Sequence, residues 1–241
     1  MAVNASQMQL ILSLITRVRA GTRPVSMVFL GYPDIILNPE QLAGILGPDV
    51  ARAARPHPDS VAILRAHSCP TDQGLIVWDA DHLFGLIGTR LTSFDWQETR
   101  RTETIHDLNQ PLPEALHGSF DLVFDNSTVH CCFNVSQALI NAASLVRVGG
   151  MVFHTSPLNQ LNVGYYALTP TLIGDFYEQN GFVLHMLHMG GGPSGSVQLP
   201  RYDMFHAPPN AYMGVVARRV ASQPLGIPKM QKYLGSVPRP S

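Results

Sequence analysis

Polar side chains gather behind a short apolar run near the middle of the chain. Residues 120–124 (FDLVF) have the composition of a buried strand, and a polar turn, 125–128 (DNST), follows them. His130 comes two residues later. Because ligands of open parallel sheets bind at the carboxyl ends of strands, this order predicts a ligand site here. A neutral imidazole, with a pKa of about 6.5, can take a proton from a hydroxyl, although a histidine bonded to backbone is the alternative.

Three further candidates stand at the ends of predicted strands. Asp95 ends a strand predicted over 90–95, Asp107 follows one predicted over 102–105, and His154 ends another. A carboxylate in such a place can accept hydrogen bonds from a ligand, or it can simply cap the next helix or turn. Both interpretations stay open for Asp95 and Asp107. His154 competes with His130 as a base.

The elements that position these residues alternate between helix and strand. Helices are predicted over 5–20, 39–46, 60–67, 79–88, 134–146 and 169–177, and strands over 25–30, 90–95, 102–105, 120–124, 151–154, 182–188 and 212–220. Gly149 and Gly150 are expected to stop a helix, and residues 190–195 (GGGPSG) to form a loop. The alternation predicts an α/β fold with a mostly parallel central sheet and helices on both faces.

The length of 241 residues fits one main domain with additions. An N-terminal helix is expected over 1–24, and the domain over 25–220 with an insertion around 34–89. Residues 221–241, which contain four prolines, are expected to form an extended tail.

Composition argues against several classes of partner. Charged residues make up 14% of the chain and the formal net charge is −1, so no basic face is expected for nucleic acid. Polar residues interrupt the apolar segment 8–20, which therefore predicts neither a signal peptide nor a membrane span. The low charged share favours a surface covered by a lid, by the chain itself or by a second subunit, and a homo-oligomer is one interpretation.

Cysteine and histidine spacing indicates no metal site. Cys69, Cys131 and Cys132 give an odd count, which fits a reducing cytoplasm, and adjacent cysteines rarely bridge each other. His185 and His188 lie three residues apart on a predicted strand, so they point to opposite faces. Burial as small apolar groups is the expected use of the cysteines.

The ordered set of motifs resembles class I S-adenosylmethionine-dependent methyltransferases. The motifs that carry the resemblance are 106–113 (HDLNQPLP), 119–126 (SFDLVFDN), 133–135 (FNV), 146–150 (VRVGG) and 156–159 (SPLN). The likeness covers residues 91–181. Within the superfamily, the chain most resembles methyltransferase-like proteins found with glycan or secondary-metabolite genes. It implies a Rossmann-like fold, S-adenosylmethionine as cofactor, and methyl transfer to an oxygen or nitrogen of a small acceptor such as a sugar or natural product.

The resemblance also implies roles for residues that could hold the adenosine. Asp95 would accept hydrogen bonds from the ribose hydroxyls, and Trp96 would offer a flat face to the adenine. Asp107 would accept from the adenine amino group, and the Leu108 amide would donate to a ring nitrogen. Packing alone is the alternative for Trp96.

Two other pairs would meet the remainder of the cofactor. Asp125 and Asn126 sit where its methionine end usually passes. Gly31 and Tyr32 stand in the turn 30–34 (LGYPD), where most of the superfamily carries a glycine-rich segment. This chain keeps one glycine there, followed by a rigid proline, and Gly31 could simply end a strand.

On the acceptor side the resemblance implies a base and a covering loop. His130 or His154 would take the acceptor proton, and Asn159, Tyr165 and Tyr166 would shape the acceptor pocket. Ordinary apolar cover is the alternative for the tyrosines. Two other classes of protein stay open, namely a methyltransferase-like scaffold that has lost cofactor binding, and a cyclase or isomerase that uses His130 and His154 as its acid and base.

Overall fold

The computed structural model describes residues 2–192 and 195–233, which fall into two units, Met1–Ile105 and His106–Ser241. In the first unit the helices and strands are, in chain order, β1 (Ala2–Val3), α1 (Ala5–Val18), β2 (Val25–Leu30), β3 (Asp34–Leu37), α2 (Pro39–Leu46), α3 (Pro48–Ala53), α4 (Ser60–Ala66), β4 (Ile76–Trp78), α5 (Ala80–Leu86), β5 (Thr89–Asp95) and β6 (Thr104–Ile105).

Strands of the first unit pair in two groups. β5 lies between β2 and β6 and is parallel to both. β3 lies between β1, to which it is parallel, and β4, to which it is antiparallel. Sequence reasoning did not predict β3 or β4, which occupy the segment 34–89 together with helices. The two strands are only four and three residues long, too short to show a period.

Asparagine caps explain where two helices of the first unit begin. The Asn4 side chain accepts from the Gln7 amide at 3.0 Å, and the Gln7 side chain accepts from the Asn4 amide at 2.9 Å. Asn38 and Gln41 repeat this reciprocal capping box at the start of α2. Each box satisfies two backbone donors that a helix start leaves unpaired.

In the second unit the elements are β7 (Phe120–Asn126), α6 (Val135–Leu145), β8 (Val146–Pro157), α7 (Pro170–Gln179), β9 (Phe182–Gly192), β10 (Gly195–Gln198) and β11 (Tyr212–Arg219), with short 3₁₀ turns at Glu114–Leu116, Val129–Cys131 and Gln231–Tyr233. The strand order is β10-β9-β11-β8-β7. β7 and β8 are parallel, and β11 is antiparallel to both β8 and β9. β7, β8 and β9 therefore run in one direction.

The predicted α/β fold class is confirmed, since parallel strands and helices alternate in both units. The boundaries of the predicted domains, including the tail, stay a prediction, and residues 234–241 of that tail lie outside the described residues. No helix within the described ranges is long and apolar enough to cross a membrane.

Two glycine segments were wrongly predicted. Gly149 and Gly150 do not stop a helix, because α6 ends at Leu145 and β8 starts at the next residue. Residues 190–192 extend β9, which pairs antiparallel with β10, and Pro193 and Ser194 lie outside the described residues. Glycine removes the side chain that would reveal a strand pattern, so these segments look like loops in the sequence.

Gly150 lies at an irregularity in the β7–β8 pairing. Phe120 pairs with Val146 and Leu122 pairs with Met151, so β8 holds extra residues at this point. A Cβ on Gly150 would lie 2.6 Å from the backbone oxygen of Asp121 and 2.7 Å from a methyl carbon of Val146. Glycine is required here because backbone approaches too closely for any side chain.

We expect Gly150→Ala to lower the free energy of unfolding by about 1–3 kcal/mol, since the strands must separate to admit the methyl group. The matched control is Gly44→Ala in α2, where a Cβ meets nothing within 4 Å. That change should raise the free energy of unfolding by up to about 1 kcal/mol. Urea unfolding followed by circular dichroism measures both, and equal effects of the two changes would contradict the assignment.

Candidate functional site

In the first unit, four predicted cofactor residues stand at the carboxyl ends of β2 and β5. Gly31 adopts a φ of 88°, a left-handed conformation that favours glycine, and its amide donates to the Phe94 oxygen at 2.6 Å. Asp95 Oδ1 accepts from the Trp96 amide at 2.8 Å, and among the described residues nothing bonds Oδ2. The Trp96 side chain is 72% exposed. The pair Asp95 and Trp96 is thus open to a ligand.

Tyr32, in contrast, is held inside the first unit. It is buried, and its hydroxyl donates to Asp81 Oδ2 at 3.4 Å. Burial, and next the charge of Asp81, raise the pKa of Tyr32 far above its usual range. The side chain therefore stays neutral and anchors the turn between β2 and β3.

A buried ion pair anchors the far end of the same turn. Asp34 is 2% exposed and accepts from Arg100 in a forked arrangement, Nε to Oδ1 and Nη2 to Oδ2, both at 2.9 Å. His67 Nε2 lies 2.7 Å from Asp34 Oδ2. Burial acts to raise the pKa of Asp34, but the hydrogen bonds from Arg100 and then His67 outweigh it and hold that pKa below its usual value.

Glu103 holds the backbone around Arg100, the residue that pairs with Asp34. Its Oε1 accepts from the amides of Thr99 at 3.2 Å and Arg100 at 2.7 Å, and from the Thr99 hydroxyl, and its Oε2 accepts from the Thr102 amide at 3.1 Å. These bonds shape the segment that follows Trp96. The two carboxylates together tie the turn after β2 to the segment after β5, on either side of Gly31 and Asp95.

We expect Arg100→Ala to lower the free energy of unfolding by about 3 kcal/mol, because it removes the main partner of a buried carboxylate. Arg52→Ala is the matched control, since Arg52 pairs with Asp49 at 3.1 Å on the surface, where the two side chains are 77% and 91% exposed. Its effect should stay within about 0.5 kcal/mol. Chemical denaturation of both variants checks this, and similar losses would refute the role given to Arg100.

The second unit places Asp125 and His154 side by side. β7 and β8 are parallel, and their register pairs Asp125 with His154 and Asn126 with Thr155. All four residues are buried. The carboxyl ends of the two strands thus carry a polar cluster, as the sequence predicts for the turn after β7.

The Asp125 carboxylate is the hub of this cluster. Its Oδ1 accepts from the Thr128 amide at 2.7 Å and the Val129 amide at 3.1 Å, and its Oδ2 lies 2.7 Å from His154 Nδ1. The Tyr177 hydroxyl bonds His154 Nε2. Because a carboxylate only accepts, His154 donates from Nδ1 and accepts at Nε2 from the tyrosine. Burial raises the pKa of Tyr177, and the charge of Asp125 adds to the rise, so the phenol keeps its proton.

His130 differs from His154 in having no polar partner for its ring. It is 0% exposed, and no described residue bonds either ring nitrogen, so the predicted alternative of a backbone-bonded histidine is not found. Burial lowers the pKa of His130 below its usual value, against a smaller opposing effect of Asp125. The imidazole is therefore neutral at pH 7 and keeps an accepting nitrogen.

Residues 163–166 cover His130, and we call them the covering segment. The amides of Tyr165 and Tyr166 donate to the His130 backbone oxygen at 3.1 and 3.2 Å. Gly164 packs on the imidazole so closely that a Cβ would lie 2.3 Å from its Cδ2 atom. The segment holds the two predicted acceptor tyrosines beside the predicted base.

Three aromatic side chains belong to residues that follow His130 closely in the chain or bond its backbone oxygen. Phe133 is 74% exposed and Tyr165 is 68% exposed, and their rings meet edge to face with centroids 5.8 Å apart and planes at 89°. The Tyr166 ring lies 6.5 Å from that of Tyr165, and its hydroxyl donates to the Phe133 oxygen at 2.8 Å. We call Phe133, Tyr165 and Tyr166 the aromatic cluster.

The loop with Asp107 and Leu108 is pinned by side-chain amides. Asp107 is exposed, and its Oδ1 accepts from the Asn109 amide at 2.9 Å and the Asn109 side chain at 2.6 Å, so it caps a turn as the alternative interpretation predicts. These bonds lower the pKa of Asp107. Asn141 of α6 donates to the Leu108 oxygen at 3.0 Å and accepts from the Leu112 amide at 3.2 Å.

Asn159 is committed to backbone as well. Its side chain donates to the oxygens of Ala207 at 3.2 Å and Pro208 at 2.7 Å, and it accepts from the Ala211 amide at 3.0 Å. It fixes the loop after β8 and leaves little for a substrate. The described residues contain no cluster of three or more His, Cys, Asp or Glu side chains that could hold a metal ion.

The neighbouring cysteines stay protonated. Burial raises the pKa of Cys132 to about 12, helped by the charge of Asp125, and burial also raises the pKa of Cys131. A thiol that keeps its proton is a poor nucleophile. Cys132 is buried as expected, but the expected burial of Cys131 is wrong, because that residue is exposed.

Sequence reasoning missed several residues that build these places. Asp34, Arg100, Asn141 and Tyr177 received no role. Asp34 and Asn141 carried a usable signal, since each is a polar residue within an apolar run, which calls for a buried partner. Arg100 and Tyr177 carried none, because their partners lie 66 and 23 residues away in the chain.

Comparison with known proteins leaves the family open. No family model matches the sequence, and no curated protein matches it. Solved structures share parts of its geometry. A 1,6-didemethyltoxoflavin-N1-methyltransferase from Burkholderia thailandensis, with S-adenosylhomocysteine bound, is 13% identical with a TM-score of 0.47, over 90% of this chain and 76% of that one.

Two other structures match at a similar level. The CMeT domain of the citrinin polyketide synthase is 14% identical with a TM-score of 0.48, over 89% of this chain and 52% of that one. A branched-chain polyamine synthase from Thermus thermophilus is 14% identical with a TM-score of 0.46, over 94% and 58%. The chain thus spans little more than half of these two proteins, and likeness at this level shows neither family nor activity.

The lowered pKa of His130 predicts a pH dependence of stability. In the unfolded chain His130 binds a proton below about pH 6.5, but in the folded chain it does so only at lower pH. The free energy of unfolding should therefore fall as pH drops from about 6.5 towards the folded pKa. His130→Phe removes this contribution and should flatten the fall, as measured by urea unfolding between pH 5 and pH 8. If the difference in free energy of unfolding between the wild-type protein and His130→Phe does not vary with pH, the lowered pKa of His130 is contradicted.

Proposed function

We propose that this protein transfers a methyl group from S-adenosylmethionine to an oxygen or nitrogen of a small neutral acceptor. The observation that carries the proposal is the position of Gly31 and Asp95, which directly follow and end the adjacent parallel strands β2 and β5, with the Gly31 amide bonded to the Phe94 oxygen. A carboxylate with one unbonded oxygen at such a place fits the two hydroxyls of a ribose. The motif order that resembles class I methyltransferases supports the same cofactor.

The residues of the first unit fit an adenosine. Gly31 brings backbone close without a side chain, Asp95 accepts from the ribose, and the exposed face of Trp96 stacks on the adenine. In this chain a turn with one glycine stands where the superfamily usually has a glycine-rich segment. The ion pair between Asp34 and Arg100 stiffens that turn. Bound there, S-adenosylmethionine supplies an electrophilic methyl group on a positively charged sulfur.

The residues of the second unit supply the base. His130 is neutral at pH 7 and takes the proton of the acceptor hydroxyl or amine. When bound, S-adenosylmethionine would supply the methyl group, with its sulfur as the leaving group, and the chain's own contribution would be to orient the acceptor and remove its proton. Asp125 holds the turn that carries His130, through the Thr128 and Val129 amides. His154 orients Asp125 rather than acting as the base, because both of its ring nitrogens are bonded.

The two alternatives predict different behaviour. An acid and base pair of a cyclase or isomerase would need His154 to exchange protons with a substrate, which its buried bonds to Asp125 and Tyr177 oppose. A scaffold that has lost cofactor binding would bind no nucleoside. Binding of S-adenosylhomocysteine therefore separates the scaffold from the enzyme.

We expect S-adenosylhomocysteine at about 100 times its dissociation constant to stabilise the protein by roughly 2.7 kcal/mol. Asp95→Ala should abolish most of this gain, since the ribose hydroxyls lose their acceptor. Asp49→Ala, which removes a 91% exposed carboxylate of the same unit, is the matched control and should keep it. Thermal unfolding with and without ligand measures the effect. No gain in the wild-type protein would refute cofactor binding, and an equal gain in Asp95→Ala would refute the ribose assignment alone.

A further inference from the structure

We propose that His130 and the aromatic cluster form a binding site for a planar aromatic compound that carries a hydroxyl group, with the ring against Phe133 and Tyr165 and the hydroxyl donating to the imidazole. That this compound is the methyl acceptor rests on the proposed function. The binding site itself does not.

The neutrality of the site is the first argument. Two stretches of the chain contain no Asp, Glu, Lys or Arg, namely residues 126–146, which include His130, and residues 155–174, which include the covering segment. The nearby carboxylate of Asp125 is engaged by His154 and two backbone amides. A phosphate or carboxylate ligand would find no opposite charge from these stretches, so a neutral compound fits best.

The commitment of polar side chains is the second argument. A sugar is recognised by several side chains that both donate and accept, yet two of the amides close in sequence, Asn134 and Asn159, are already used. Asn134 bonds Asn109 and the Gln137 amide, and Asn159 bonds three backbone groups. The exposed rings of Phe133 and Tyr165, the unbonded His130 imidazole and the exposed amide of Asn162 remain, and one amide is too few for the several hydroxyls of a sugar. Rings with an edge-to-face geometry bind another flat ring well.

The unbonded imidazole is the third argument. A buried polar group without a partner costs free energy that a ligand hydroxyl would recover. The lowered pKa makes His130 a weak base, so it suits an acidic hydroxyl. A phenol, with a pKa of about 10, meets that requirement, whereas an aliphatic hydroxyl, closer to the value of about 15.7 for water, does not.

Access requires the covering segment to move, because His130 has no exposed surface. Val163, Tyr165 and Tyr166 are each more than one third exposed, and two amide bonds to the His130 oxygen hold the segment down. Segments with so little buried surface open at low free energy. Gly164 permits the closed state, since a Cβ at this position would collide with the imidazole.

Three probes of matched size test the site in the absence of cofactor, namely 1-naphthol, 1-methoxynaphthalene and 1-decalol. Calorimetry should give a dissociation constant for 1-naphthol about tenfold below both others, since the second lacks the hydroxyl donor and the third lacks the flat ring. Equal affinity for 1-decalol would overturn the aromatic assignment. Equal affinity for 1-methoxynaphthalene would overturn the contact with His130.

Variants locate the binding. Phe133→Ala should raise the dissociation constant of 1-naphthol about tenfold, and His130→Phe should abolish the preference for 1-naphthol over 1-methoxynaphthalene. Leu161→Ala, which removes an 86% exposed apolar side chain just outside the covering segment, is the matched control and should change neither. An equal loss in Phe133→Ala and Leu161→Ala would place the ligand elsewhere and overturn the proposal.

Chemical modification gives a second readout. Carbethoxylation of His130 by diethyl pyrocarbonate, followed by peptide mass spectrometry, should be slow in the wild-type protein and at least tenfold faster in Gly164→Ala, where 1-naphthol should slow it again. Unchanged reactivity, or no protection by naphthol, would overturn the covered site. Failure of S-adenosylhomocysteine to bind while the naphthol series behaves as expected would refute methyl transfer and leave this site standing.

Discussion

The carboxylate of Asp125 is the group on which the functional end of the second unit depends. Parallel pairing of β7 with β8 sets it opposite His154, and the polar turn that follows folds back to donate two amides to it. One buried carboxylate is thereby satisfied by three hydrogen bonds, which offset the cost of removing it from water. These bonds fix the start of the turn that carries His130, and the Tyr165 and Tyr166 amides hold the His130 backbone from the other side.

The two histidines of the second unit show how environment decides what the same side chain can do. His154 is fixed between Asp125 and the Tyr177 phenol, so its tautomer and orientation are set and its nitrogens are unavailable. His130 lies a few residues beyond β7 with neither nitrogen bonded by a described residue. Two residues that look equivalent in the sequence thus differ in whether their ring nitrogens are bonded.

The first unit also contains a buried carboxylate that fixes a turn, that of Asp34. A turn with several glycines has freedom that must be lost on folding, whereas the turn 30–34 has one glycine, a proline and a carboxylate. The forked hydrogen bond from Arg100 to Asp34 restricts the turn, and Glu103 accepts from the Arg100 amide and holds the arginine in place. A rigid turn and a shaped loop result on either side of Asp95, so the departure from a glycine-rich pattern is compatible with an ordered ligand site.

The sequence by itself determined the α/β class, the positions of the longer elements and the polar turn after β7, because these follow from local periodicity and capping. It also singled out His130, Tyr165 and Tyr166, which the structure brings together. Only the tertiary structure decided which polar groups are bonded and which are open. His67 and Arg100 around Asp34, Asp125 and Tyr177 around His154, and the Leu108 oxygen bonded by Asn141 lie between 23 and 66 residues from the residue that they bond, and pairing over such distances depends on how the strands and helices pack, which a local pattern does not contain.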